Sequence, residues 1–195
     1  MIPTPFGFSS TTYNPGMVLL STKTGTSATS IIFGASDFDW TVYDEYEFHI
    51  LNLFSSASGN LIDCVVSEDG GMTFKTAANY NSEYSGQDIG GNSLTGTSGS
   101  ANYLRLSSGV VGGSPVNTHP YHCTLRLMAP TDTGHPKQFR FDATYVNNIV
   151  SQLGSIRGSG WWNGDTNPIN GIRFEIAAGT LNITATIRAY GYSIK

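Results

Sequence analysis

Charge is scarce in this chain. Lysine, arginine, aspartate and glutamate together make up 12% of its 195 residues, about half the usual share of roughly 25%. Glycine (23 residues), serine, threonine and asparagine stand where ions would be. A surface of that kind is solvated by hydroxyls and amides, as in extracellular and virion proteins, and it argues against an ordinary cytosolic enzyme. No excess of basic residues exists either. The formal charge is −4 and the pI is near 5.4, so a nucleic-acid-binding role has no electrostatic footprint. No stretch approaches the ~18 apolar residues of a membrane span. The opening "MIPTPFGFSSTTYNPG" has neither a basic n-region nor an apolar h-region, so no Sec signal is expected. A protein of this type that works outside a cell is expected to be made in a cytoplasm and to leave by lysis, as part of an assembly.

Cysteine is nearly absent, with only Cys64 and Cys123, each inside an apolar run. Buried thiols are expected, with a disulfide open only if the two strands are neighbours. Also missing are a Ser-His-Asp order, a P-loop and a dinucleotide glycine fingerprint. Glycoside hydrolysis needs two carboxylates held roughly 5 to 9.5 Å apart, and nothing in the spacing of the acids selects such a pair. The acids Asp37, Asp39, Asp44, Glu45 and Glu47 read as a solvated loop before a strand, with a Ca²⁺ site as the minority option. His119 and His122 have a spacing that could grip a metal, but Pro120 lies between them and no further ligand pattern accompanies them. The expectation is no catalytic residue, no metal and no cofactor.

What the chain has in quantity is alternation. In residues 169 to 192, Ile172, Phe174 and Ile176 share one face, and Leu181, Ile183, Ala185, Ile187 and Ala189 another. A period of two is the pattern of half-buried antiparallel strands. The Ala177–Thr180 link between these runs, with Gly179, predicts a tight hairpin that templates the sheet. Strands are also expected over residues 17 to 22, 29 to 33, 46 to 54, 60 to 67, 101 to 106, 121 to 128, 138 to 146 and 156 to 162. In the third of these Phe48 and Ile50 are expected to face in, with Leu51 and Leu53 on the other face. Tyr121, Cys123, Leu125 and Leu127 alternate with His122, Thr124 and Arg126, and Phe139, Phe141, Ala143 and Tyr145 share one face. Residues 79 to 100, polar and rich in glycine, read as an exposed contact loop. Many short strands without an amphipathic helical window predict an all-β, antiparallel β-sandwich over residues 16–195. Residues 1–15 read as an extended N-terminal arm. Pro3, Pro5, Phe6, Phe8 and Tyr13 in it either cover the domain itself or anchor it to a neighbouring subunit.

Two local features bear on function. Ser67, Asp69, Gly71, Thr73 and Phe74 fit the Ser-x-Asp-x-Gly-x-Thr-Phe pattern of the Asp-box, in which a carboxylate gathers turn amides. Sialidase-type propellers repeat that box in every blade. Here it occurs once, so it predicts a stabilised structural turn. Trp161 and Trp162, with Tyr80, Tyr84 and Tyr103, could stack against sugar rings near a glycine-rich loop. The competing reading makes at least one tryptophan a plug of the sandwich.

The order "YEFHILNLFSSASGNLIDCVVSEDGGMTF", then "YHCTLRLMAP", then "GWWNGDTNPINGIRFEIAAGTLNITATIRAYG" resembles a β-sandwich domain of tailed-bacteriophage virion proteins. The matching positions are Tyr46, Asn52, Leu53, Ser67, Asp69, Gly70, Gly71, Phe74, Leu127, Pro130, Asn170, Ile172, Arg173, Phe174, Gly179, Ile183, Ile187, Tyr190 and Gly191, over about residues 43 to 192. The chain departs from the pattern at Thr184-Ala185, where a glycine is frequent, and at Leu181. The resemblance implies a jelly-roll-like fold and a capsid decoration, head-fibre, tail or baseplate subunit. It also implies other virion proteins as partners and a homo-oligomer, with a trimer expected. An adhesin-like module that recognises a host surface glycan is the alternative.

Overall fold

The computed structural model describes residues 16–57, 61–107, 120–147, 152–176, 180 and 182–192. Twelve strands lie among them: β1 (Val18–Ala28), β2 (Ser30–Phe33), β3 (Glu45–Ser55), β4 (Ile62–Ser67), β5 (Tyr80–Asp88), β6 (Gly96–Ala101), β7 (Leu104–Arg105), β8 (Tyr121–Met128), β9 (Lys137–Asn147), β10 (Gln152–Trp162), β11 (Gly171–Ile176) and β12 (Ile183–Tyr192). They form an eight-stranded sheet, β1-β12-β3-β8-β9-β10-β5-β6, and a four-stranded sheet, β2-β11-β4-β7, antiparallel at each ladder. The protein is an all-β sandwich.

The alternating runs place the core between the sheets. Tyr121, Cys123, Leu125 and Leu127 of β8 are buried, as are Phe139, Phe141, Ala143 and Tyr145 of β9 and Ile183, Ala185, Ile187 and Ala189 of β12. Opposite them stand Ile62, Cys64 and Val66 of β4 and Ile172, Phe174 and Ile176 of β11. An aromatic cluster closes one end: the Phe33 and Phe48 rings are 5.5 Å apart, and Trp40 lies 5.0 Å from Tyr46. Close approach explains one glycine. A Cβ on Gly160 would sit 2.3 Å from Leu104 Cδ1, so its bare backbone is what lets β7 lie over β10.

Three expectations need correction. First, β11 and β12 are not a hairpin. β11 pairs with β2 and β4, and β12 with β1 and β3, so the link crosses from one sheet to the other. Ala177–Gly179 fall outside the described residues. Two strands that each bury one face satisfy that pattern equally well as an arch across the core. Second, residues 79 to 100 are not one loop. β5 pairs with β10 over nine positions and carries β6 on its other side. Third, Leu53 does not share the face of Leu51. A bulge at Asn52, whose φ is 49°, turns Leu53 back into the core, where it is fully buried.

The cysteines lie in opposite sheets, Cys64 on β4 and Cys123 on β8, and both are free and buried. The N-terminal arm and His119 lie outside the described residues.

Candidate functional site

The Asp-box residues build a closed turn between β4 and residue 75. Asp69 Oδ1 accepts from the Met72 amide at 3.1 Å and the Thr73 amide at 2.8 Å, and Oδ2 from the Thr73 hydroxyl at 2.5 Å. The Ser67 hydroxyl donates to Asp69 Oδ1 at 2.7 Å and accepts from the Gly71 amide at 2.9 Å. Gly70 and Gly71 have φ of 77° and 92°, a region that glycine enters without a Cβ penalty. The Thr73 bonds, chiefly the hydroxyl, hold the Asp69 carboxyl well below the ordinary carboxylate range. A carboxylate so engaged is a poor proton acceptor. Beyond the box, the Gly70 amide donates to Asn170 Oδ1 at 2.6 Å, and the Arg173 guanidinium lies 4.5 Å from the Phe74 ring centre. The turn fastens β4 to the start of β11.

The aromatic residues named from the sequence do not form one platform. Neighbours on a strand leave opposite faces, so Trp161 is 48% exposed while Trp162 is 1% exposed and packs into the core. Tyr80, the register partner of Trp162, is also fully buried. Its hydroxyl donates to the Lys75 carbonyl at 2.9 Å and accepts from the Val66 amide at 3.0 Å. Tyr84 is half-buried against the same core, and Tyr103 lies under Arg105, 4.9 Å from its guanidinium. Trp162 and Tyr80 are therefore core residues, and of the pair of tryptophans only Trp161 meets solvent.

The acidic loop is likewise spent on local structure. Asp37 accepts from the Gly34 amide at 2.8 Å and pairs with Lys23 at 2.8 Å, while Asp39 accepts from the Thr41 amide and hydroxyl at 2.9 and 2.7 Å. Among the described residues no group of three or more His, Cys, Asp or Glu side chains could hold a metal ion.

A concavity lies on the outer face of the eight-stranded sheet, a trough of about 650 Å³ across β3, β8, β9, β10 and β5. Thr124, Thr144, Ser155 and Ser85 make its floor, and His49, Leu51, His122 and the Asp142–Arg157 pair stand around it. The ladders explain the grouping. His49, Thr124, Asp142, Arg157 and Ser85 are successive register partners across five strands, and His122, Thr144 and Ser155 are the next row. Arg157 Nε donates to Asp142 Oδ1 at 2.6 Å. His49 Nε2 donates to Glu47 Oε1 at 2.6 Å, and Arg126 Nη2 to Glu47 Oε2 at 2.6 Å. Burial alone would push Glu47 up, but those two donors more than offset it and hold the carboxyl below its usual value. The Asn52 amide at the β3 bulge points at His122 Nδ1, 3.4 Å away. Sequence reading put His122 and Thr124 on the outward face but could not assemble a row drawn from five strands.

No family model, curated protein or solved structure matches the chain.

Proposed function

We propose that the protein is a structural component of a bacteriophage virion, an exposed accessory subunit of the capsid or tail that acts by assembly and surface contact. The observation that carries this reading is where the ionic groups go. Asp69 holds a turn, Glu47 clamps His49 and Arg126, and Lys137, although buried, donates to the carbonyls of Asp132, His135 and Thr166. Charges committed to fastening turns, loops and neighbouring strands are suited to a durable scaffold. Strand order supports the jelly-roll-like part of the reading. Leaving aside β5, β6, β9 and β10, four strands remain in each sheet, β1-β12-β3-β8 and β2-β11-β4-β7, which successive strands enter alternately except at the β7–β4 side. Such double sheets recur in capsid and lectin domains, an analogy of fold alone.

On this reading the partners are other virion proteins and further copies of the chain, with a trimer expected, no nucleic acid, no membrane insertion and no enzymatic turnover. Residues 1–15 serve as the anchor. Purified particles should contain the chain at a fixed copy number, with density that fits the sandwich, and deletion of residues 1–15 should leave a folded domain that no longer enters particles. Particles lacking the chain would refute the reading. Light scattering should give three times the 20.9 kDa chain mass.

The trough favours a second reading, a receptor-recognition module that binds a host surface glycan. A concavity of this size lies within the roughly 300–1,000 Å³ of ligand sites. Its contacts would be the trough residues, with Trp161 further along the same face.

A further inference from the structure

We propose that the trough on the outer face of the eight-stranded sheet is a saccharide site that takes an extended oligosaccharide lying across β3, β8, β9, β10 and β5. This deepens the glycan-binding reading and rests on it.

Shape comes first. The trough crosses five neighbouring strands, which at ~4.8 Å per strand is about 19 Å. That is the length of a short oligosaccharide rather than of a single sugar. A bulge borders the concavity at its β3 end. β3 shifts register against β8 between Ile50 and Leu53, and against β12 at Thr184/Thr186, so both neighbours of β3 are irregular at one level. Bulges increase local twist and re-aim side chains. Here the bulge puts Asn52 at positive φ with its amide facing the His122 ring, an uncommon backbone beside the trough.

Chemistry selects the ligand. The hydroxyls of Thr124, Thr144 and Ser155 donate and accept, as sugar hydroxyls do. The Asp142–Arg157 pair, solvent-accessible on both sides, offers adjacent acceptor and donor groups that can reach vicinal hydroxyls. His49 keeps its ring fixed against Glu47 and 4.7 Å from the Tyr190 ring, presenting a flat edge to the trough. An apolar ligand would desolvate those hydroxyls without replacing their hydrogen bonds. A nucleic acid gains little in the trough itself, because the arginine that lines it, Arg157, is already paired to Asp142. A peptide adding as a strand needs a sheet edge, and the trough floor is the interior of a sheet. Trp161 is not part of the trough. It is four residues beyond Arg157 on β10, about 13 Å away at ~3.3 Å per residue.

The experiment is an array of neutral and uronic-acid-bearing oligosaccharides, from disaccharides to octasaccharides, followed by calorimetric titration of the strongest binder. Thr144→Arg fills the trough from an outward position, and His122→Ala removes its rim. Met72→Ala, at a site 84% exposed in the Asp-box turn, is the neutral control. The expected result is binding by tetrasaccharides or longer chains, weakened at least ~tenfold by Thr144→Arg or His122→Ala and unchanged by Met72→Ala. Binding that survives both trough variants but is lost in Trp161→Ala overturns the trough site and leaves the glycan reading standing. An array without binders overturns both, and leaves the virion reading to its own test.

Discussion

Asp63 and Glu175 stand directly opposite one another in the β4–β11 ladder, and both carboxyls are buried. Like charges at facing positions repel, so the pair requires compensation from both sides. Arg105 Nε lies 3.4 Å from Asp63 Oδ1, and that guanidinium stacks over Tyr103. On the other side Arg173 Nη2 donates to Glu175 Oε1 at 3.2 Å. Its Nε, 2.9 Å from Oε2, is too poorly aimed to count as a hydrogen bond. Arg173 in turn lies over Phe74 of the Asp-box. Two aromatic–arginine–carboxylate runs thus meet on the outer face of the small sheet.

The compensation at Asp63 is incomplete, which gives a pH prediction. Burial pushes its carboxyl up to about 7, against the lowering effect of Arg105 and with a further rise from Glu175. The folded state therefore holds a proton that the unfolded chain releases near pH 4. The contribution of Asp63 to stability should fall as pH rises from about 4 to 7 and then level off. Asp63→Asn removes that penalty and should be more stable than wild type at pH 8, on the order of 2–4 kcal/mol, with the gain fading toward pH 4. Urea unfolding at several pH values measures it. A variant destabilised equally at pH 4.5 and pH 8 would refute the assignment.

How much of this was legible in the sequence depends on which interaction is asked about. Alternation identified the buried faces of β8, β9 and β12 correctly, because side-chain direction follows from the pleat alone. Pairing partners are another matter. The Ile172–Ala189 stretch gives the same inward pattern whether its two strands bond to each other or face each other across a core, and only the other strands decide. β5 escaped notice because its inward residues include Ser82 and Gly86, which carry no apolar signal; its order comes from β10 beside it. Leu53 was assigned to the wrong face because a bulge adds one residue and reverses the alternation after it. The trough draws single residues from five strands, so no local motif announces it.

Lys137 offers a test of the charge-as-fastener argument. It is 1% exposed, and its ammonium donates to three carbonyls from two separate loops, those of Asp132, His135 and Thr166. Lys137→Met keeps much of the buried stem but strands those carbonyls. The expected loss is about 2–4 kcal/mol, with amide exchange rising first in residues 130 to 136. Calorimetry and hydrogen exchange together check it. Unchanged exchange in that loop would mean that the contacts do not hold it.

The thiols should be silent in the native protein. Cys64 and Cys123 are free, buried and on opposite sheets, and burial pushes the Cys123 thiol up to about 12 and Cys64 well above its ordinary value. Reactivity belongs to the thiolate, so an aromatic disulfide reagent at pH 8 should titrate neither cysteine in native protein and both in guanidinium. The melting temperature should not move when reductant is added. A melting temperature lowered by reductant would reveal a bridge and overturn this pairing state.

The adjacent tryptophans separate packing from surface contact in a single experiment. Trp162 is 1% exposed with the Lys75 ammonium 5.7 Å from its ring centre, whereas Trp161 points out from the same strand at 48% exposure. Replacing Trp162 with alanine removes a large side chain from a close-packed interior and should cost about 3–5 kcal/mol. Trp161→Ala removes contacts mainly with water and should change stability by no more than ~0.5 kcal/mol. Urea unfolding followed by fluorescence measures both costs, since each variant retains two of the three tryptophans; buried Trp40 is common to both, so Trp161→Ala should shift the native emission to shorter wavelength. Equal costs for the two would mean that β10 lies one residue out of register, which would also turn Arg157 and Ser155 inward and abolish the trough.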